Sequence, residues 1–90
     1  MLYALICDDK PGALDIRKAT REAHLDYART TGVVTQAGPL LDAGGEMAGS
    51  LVILDVPDLA AAEAWAANDP YAAAGLFASV AIRPWKKVIG

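Results

Sequence analysis

The stretch Ala13–Thr31 contains neither glycine nor proline, and it constrains the fold more than any other feature of the sequence. A helix interior tolerates these two residues least, so their absence over this length favours one continuous helix. Apolar residues recur along the stretch at helical spacing, namely Ile16, Ala19, Ala23 and Tyr27. Gly32 follows at the position typical of a helix C-cap, so we predict one long amphipathic helix that ends there.

Short segments rich in apolar residues predict four strands around this helix. Leu2–Cys7 precedes the helix, and Val33–Leu41, Gly49–Val56 and Phe77–Trp85 follow it. The Gly38-Pro39 pair indicates a bulge or an edge position in the second strand.

A second, alanine-rich helix is predicted from Asp58, its N-cap, to about Asn68. Asp69-Pro70 ends this helix, because the residue before a proline is steered away from helical geometry, and Tyr71–Leu76 is predicted to form a short helical turn. The order β-α-β-β-α-β predicts a ferredoxin-like α+β fold, in which a four-stranded antiparallel sheet carries both helices on one face. We expect the 90 residues to form a single domain.

The other face of such a sheet has no cover within 90 residues, although 54% of the residues are hydrophobic. An apolar sheet face of this size is normally buried against a partner. We therefore predict a homodimer that forms through the open sheet face.

Composition argues against several classes of partner and location. A net charge of −3 opposes nucleic-acid binding, which needs clustered Lys and Arg, and no apolar run approaches the roughly 20 residues of a membrane span. Cys7 is the only cysteine, so no disulfide forms within the chain and a cytoplasmic location is expected. The spacing of the single His and Cys predicts no metal site, and we expect no cofactor.

The long helix carries the most suggestive polar cluster. Arg17, Arg21 and His24 lie four and three residues apart and so share one helix face. Positive charges this close repel one another, so either an acidic residue elsewhere in the chain or an anionic ligand should meet them. A solvated basic stripe is the alternative. If the protein transfers protons at neutral pH, His24 is the natural agent.

Other candidates have both a structural and a functional interpretation. Asp69 is placed to cap the turn after it, but a fixed carboxylate there could also orient the His24 imidazole and set its tautomer. The Ser50 hydroxyl could bond the backbone or a ligand. Gly38-Pro39 could bring the backbone close to a ligand or simply form a bulge.

Three motifs carry a family resemblance: Arg21-x-x-His24-Leu25, Ala37-Gly38-Pro39, and Asp69-Pro70-Tyr71 followed by Ala74-Gly75. With Gly49-Ser50 and the closing Lys86-Lys87-Val88, the sequence resembles the YciI-like (YCII-related) family nearly end to end. The turn between Gly38-Pro39 and Gly49-Ser50 is shorter than the family's, which bears on substrate identity if that turn borders the pocket.

The resemblance implies a dimeric α+β barrel type of fold and an active site centred on a histidine and an aspartate, here His24 and Asp69. The family includes a dehydrochlorinase of chlorinated hydroxyhydroquinone, and its fold is shared with muconolactone isomerases. The leading hypothesis is therefore a small cofactor-independent lyase or isomerase that acts on an anionic or phenolic ring compound.

In this hypothesis His24 is the general acid or base and Asp69 orients it. The predicted substrate-binding residues are Arg17, Arg21, Ser50, Gly38, Pro39 and Tyr71. The alternative hypothesis is a non-catalytic module with the same dimeric fold that binds a small anion or a partner.

Overall fold

The computed structural model describes residues 1–90 as one four-stranded sheet and three helices. The elements in chain order are β1 (Leu2–Asp9), α1 (Leu14–Thr31), β2 (Val34–Leu41), β3 (Met47–Asp55), α2 (Leu59–Ala67), α3 (Pro70–Ala73) and β4 (Phe77–Trp85). The strands lie in the order β2-β3-β1-β4, and every neighbouring pair is antiparallel. The predicted ferredoxin-like α+β fold is thus confirmed.

Local signals in the sequence correctly placed the ends of the helices. Gly32 adopts the left-handed conformation, with φ of 67°, and ends α1. The carboxylate of Asp58 accepts a hydrogen bond from the Ala61 amide at 2.9 Å and begins α2. Asp69 does the same for the Tyr71 amide at 3.0 Å and begins α3.

Two strand boundaries differ from the prediction by two residues, and the start of β2 and the end of β3 differ by one. β1 continues past the predicted end at Cys7, and Asp8 and Asp9 pair with β4 across a register shift between them. Met47 rather than Gly49 begins β3. The alternation of β1 therefore continues for two more residues, which places Asp9 on the same sheet face as Leu5 and Cys7.

The core lies between the sheet and the two longer helices. Buried residues of β1, β3 and α2 form one cluster: Tyr3, Leu5, Cys7, Val52, Leu54, Val56, Ala62 and Trp65. The Tyr27 hydroxyl donates a hydrogen bond to the Trp65 carbonyl at 2.8 Å, and the Trp65 indole donates to Thr31 Oγ1 at 2.9 Å. These contacts bind α1 to α2 and hold both helices on one sheet face.

The predicted apolar face of α1 is confirmed only in part. Tyr27 packs against the core cluster, but Ile16 is 39% exposed and Ala19 and Ala23 are exposed.

The buried residues of the helix are Arg17 and His24. Exposing an alanine costs little, whereas Arg17 and His24 each meet a carboxylate beneath the helix. Polar side chains with acidic partners thus replace apolar residues on this part of the inner face of α1.

The order of the strands puts β2 and β4 at the sheet edges, which confirms the edge position indicated by Gly38-Pro39. Register shifts occur on both sides of this pair, between Val34 and Gln36 and between Leu40 and Leu41. None of the three helices combines the length and the apolar character that crossing a membrane requires.

Candidate active site

His24 and Asp69 meet beneath the middle of α1. The Nδ1 atom of His24 lies 2.8 Å from Oδ1 of Asp69, and the two residues are only 7% and 3% exposed. The same Oδ1 accepts the Tyr71 amide hydrogen at 3.0 Å. The capping and the orienting interpretations of Asp69 are therefore compatible, because one fixed carboxylate oxygen makes both contacts.

This contact defines the tautomer of the imidazole. An ionised carboxylate only accepts hydrogen bonds, so Nδ1 of His24 carries the hydrogen, and in the neutral ring Nε2 holds the free lone pair. The Nε2 atom has no hydrogen-bond partner in the chain, and no buried side-chain nitrogen or oxygen lacks one, so Nε2 retains access to solvent. The ring is thus arranged to take up a proton at Nε2.

Tyr71 packs directly against the imidazole. Its ring stacks on His24 with centroids 4.1 Å apart and planes 18° from parallel. The guanidinium carbon of Arg17 lies 4.7 Å from the Tyr71 ring centroid, and Phe77 meets the ring edge-on. The proline after Asp69 starts α3 at once, which fixes Tyr71 at this position.

Arg17 makes three hydrogen bonds on the buried side of α1. Its Nε and Nη2 atoms donate to the two carboxylate oxygens of Asp9 at 2.7 and 2.8 Å, and Nη2 also donates to Ser50 Oγ at 2.9 Å. Burial acts to lower the pKa of Arg17, but the hydrogen bonds and charge of Asp9 outweigh it and leave the pKa raised. Arg17 therefore stays charged, and removing either partner of such a buried pair typically costs about 3–5 kcal/mol.

A cavity of about 160 Å³ opens between α1, β2 and β3. Its lining residues are Arg17, Arg21, His24, Leu25, Ala37, Gly38, Pro39, Met47, Ser50, Val52 and Tyr71. The volume suits one six-membered ring, since a cavity of about 150 Å³ in another protein binds benzene. The polar side chains come mainly from α1, and the residues from β2 are apolar.

All the predicted site residues converge here. Seven of them line the cavity, while Asp69 lies behind His24 and reaches the cavity only through it. The three basic groups of α1 also separate: Arg17 pairs with Asp9, His24 pairs with Asp69, and Arg21 has no acidic partner. Arg21 is therefore the one basic side chain of this cluster that lines the cavity without an acidic partner.

Sequence reasoning missed Asp9. The predicted first strand ends at Cys7, although the alternation of Leu5 and Cys7 continues to residue 9 and places Asp9 under α1. The chain brings together no group of three or more His, Cys, Asp or Glu side chains that could hold a metal ion.

The sequence comparisons identify the family. The profile of the YCII-related domain matches residues 1–86. The chain belongs to this family. Protein YciI from Escherichia coli is 39% identical over 97 aligned residues, which cover 98% of this chain and 99% of that protein. A protein from Haemophilus influenzae is 36% identical with the same coverage.

Solved structures agree with the family assignment. The 5-chloro-2-hydroxyhydroquinone dehydrochlorinase TftG of Burkholderia phenoliruptrix, in complex with 2,5-dihydroxybenzoquinone, superposes with a TM-score of 0.89 at 33% identity. The match covers 96% of this chain and 94% of that one. An antibiotic biosynthesis monooxygenase superposes with a TM-score of 0.61 at 19% identity, over 99% and 100% of the two chains, and shares the fold alone.

The tautomer of His24 should depend on Asp69. In the wild type above the titration of the ring, we expect ¹⁵N spectra to show the hydrogen on Nδ1, since the Asp69 carboxylate can only accept it. In Asp69→Ala this acceptor is lost, so the preference for a hydrogen on Nδ1 should be lost with it. Asp58→Ala is the matched control, because it removes a helix cap that does not contact His24. A His24 tautomer that stays fully Nδ1-protonated in folded Asp69→Ala would contradict the role of Asp69.

Cys7 should make stability depend on pH at the alkaline end. Burial, and then the charge of Asp69, raise the pKa of the thiol from 9.0 to about 12 in the folded protein. A raised folded pKa stabilises below the unfolded value, so this contribution is present up to about pH 9 and is lost as the pH rises towards 12. Burial also raises the pKa values of Tyr27 and Tyr71, so these two side chains add to the loss of folding stability at alkaline pH.

Urea titrations at several pH values check this expectation. We expect the free energy of unfolding to fall between pH 9 and 12 and to fall less steeply in Cys7→Ala. An equal slope in the two proteins would show that Cys7 makes no such contribution.

Proposed function

We propose that this protein is a small cofactor-independent enzyme of the lyase or isomerase type that acts on a small ring compound bearing anionic or phenolic oxygens. His24 is the general base and acid, and Asp69 orients its imidazole. The observation that carries the proposal is the buried His24–Asp69 contact of 2.8 Å, which leaves Nε2 free beside a cavity the size of one ring.

The arrangement suits a proton transfer. Nε2 of His24 takes a proton from a ring carbon or hydroxyl, and the Asp69 carboxylate stabilises the imidazolium that forms. In an isomerisation the imidazolium returns this proton to another ring position. In an elimination of HCl the substrate loses a proton to His24 and a chloride to solvent, and the imidazolium then releases its proton to water.

The cavity also suits an oxygen that carries negative charge. Arg21 has no acidic partner and lines the cavity together with Ser50 and Tyr71. Donors already in place when charge develops on oxygen stabilise the transition state. The dehydrochlorinase TftG, 33% identical, binds 2,5-dihydroxybenzoquinone, and this supports a ring with several oxygens as the substrate class.

A second candidate is binding without catalysis. The unpaired guanidinium of Arg21 favours it, since a small anion would be held there whether or not His24 moves a proton. The two candidates differ in whether His24 changes a rate or only an affinity.

We expect turnover to depend on His24. The first substrate to test is 5-chloro-2-hydroxyhydroquinone, with chloride release measured under anaerobic conditions, followed by related phenols and lactones. His24→Ala should lower kcat by about 10²–10⁴-fold, the usual contribution of a positioned proton-transfer group.

Asp58→Asn, which changes a cap remote from the cavity, is the control and should retain full activity. Turnover that persists at the wild-type rate in His24→Ala would rule out the enzyme hypothesis. Tight binding of 2,5-dihydroxybenzoquinone with no turnover of any compound would favour the binding module.

We also propose that the protein acts as a homodimer in the cytoplasm. Ile6, Leu51 and Trp85 are partly exposed on the sheet face away from the helices, beside a groove of about 510 Å³. Covering this face with a second copy removes it from water. Light scattering at micromolar concentration should report twice the 9.4 kDa of one chain, and a species of 9.4 kDa alone would exclude the dimer.

A further inference from the structure

Arg17, Tyr71 and His24 form a three-layer stack. Arg17 and His24 lie seven residues apart on α1, which corresponds to a rise of about 10.5 Å. The Tyr71 ring lies 4.7 Å from the Arg17 guanidinium carbon and 4.1 Å from the His24 ring centroid. Added together, these two distances nearly equal the rise along α1 between Arg17 and His24. Because His24 covers one face of the Tyr71 ring, Arg17 has to contact the other face. The Tyr71 ring is therefore inserted between the two side chains.

A carboxylate holds each end of this stack. Asp69 holds the ring of His24 at one end, and Asp9 holds the guanidinium of Arg17 at the other. Asp9 is the last residue of β1, its side chain is only 6% exposed, and both of its oxygens accept from Arg17. Asp9 does not line the cavity, so it reaches the site only through Arg17.

Arg17 also links this stack to a second wall of the cavity. Its Nη2 atom donates to Ser50 Oγ at 2.9 Å, which occupies an acceptor position of that oxygen. The Ser50 hydroxyl hydrogen is then free to be donated elsewhere. Because Ser50 lines the cavity, the direction of this donor depends on where Arg17 is held.

We propose that Asp9 is a positioning residue of the site, which fixes Arg17 so that Tyr71 stays stacked on His24 and Ser50 presents its hydroxyl hydrogen to the cavity. The effect of Asp9 on turnover rests on the proposed function, whereas its effect on the placement of His24 does not. The two arginines then have separate roles. Arg17 supports the machinery, and Arg21 contacts the anionic substrate.

The first experiment compares Asp9→Asn with Asp8→Asn. Asp8 is the matched control, because it is the neighbouring aspartate, lies on the opposite sheet face, and its side chain hydrogen-bonds only with Ser79. In the wild type the stacked Tyr71 ring should shift the His24 ring protons upfield, and the chain has one histidine, so its signals are unambiguous. Asp9→Asn should reduce this shift and Asp8→Asn should leave it unchanged. Unchanged His24 signals in folded Asp9→Asn would overturn the proposal.

Kinetics on an established substrate give the second readout. Displacement of a catalytic group by about 1 Å costs on the order of 10²-fold, so Asp9→Asn should lower kcat by ~10–100-fold while KM changes little. Arg21→Gln should instead raise KM. Altered His24 signals with an unchanged kcat would overturn the positioning role. If His24→Ala itself has no effect on turnover, the proposed function fails, and the NMR comparison still decides the structural part.

A double variant covers the case in which Asp9→Asn does not fold, since Arg17 would then be buried without a counter-charge. The double variant Asp9→Asn with Arg17→Met leaves neither charge buried alone. If the Asp9–Arg17 pair holds Tyr71 against His24, the double variant should lose part of the upfield shift of the His24 ring protons and should show a lower kcat. His24 signals identical to those of the wild type in the folded double variant would overturn the proposal.

Discussion

The structure depends on burying two basic side chains under one helix. Arg17 and His24 occupy the inner face of α1, where most helices place leucine or valine, and each is tolerated only because a carboxylate meets it. The two carboxylates come from segments 60 residues apart in the chain, Asp9 from β1 and Asp69 from the start of α3. The helix is thereby attached to the sheet and to α3 by directional contacts, while α2 and the strands supply most of the apolar core.

This arrangement explains why the fold was easier to predict than the site. Gly32, Asp58 and Asp69-Pro70 act within a few residues of chain, so their effects on helix ends could be predicted locally. The order of elements then left few ways to build one sheet.

The inner face of α1 could not be predicted in this way. Apolar periodicity indicated Ile16 and Ala19 as the buried residues instead. Burial of Arg17 depends on Asp9, and the position of Asp9 is set by the pairing of β1 with strands that are remote in sequence. The contact between His24 and Asp69 spans 45 residues and has no local signal. Only the family resemblance brought these two residues together before the structure did.

The site resembles the hydrolytic triads only in part. It shares an imidazole whose Nδ1 faces a buried carboxylate, but no nucleophilic side chain follows on the Nε2 side within hydrogen-bond reach. In the proposed function, the imidazole therefore acts on a proton of the substrate itself. The Tyr71 ring stacks on the imidazole, and burial raises the pKa of Tyr71 although Arg17 and Arg21 act to lower it. Arg21 has no acidic partner and lines the same cavity.

The segment Ala37–Pro39 forms part of two different surfaces. Ala37, Gly38 and Pro39 line the cavity on the helix side of β2, and the same three residues line the groove on the open side of the sheet. The partition between the two is thus the thickness of one peptide chain. If the open sheet face meets a second copy as proposed, a change that suits a different ligand on one side of this segment also reshapes the docking surface on the other. Substitutions in α1, which lines the cavity but not the groove, would alter the choice of ligand without changing that docking surface.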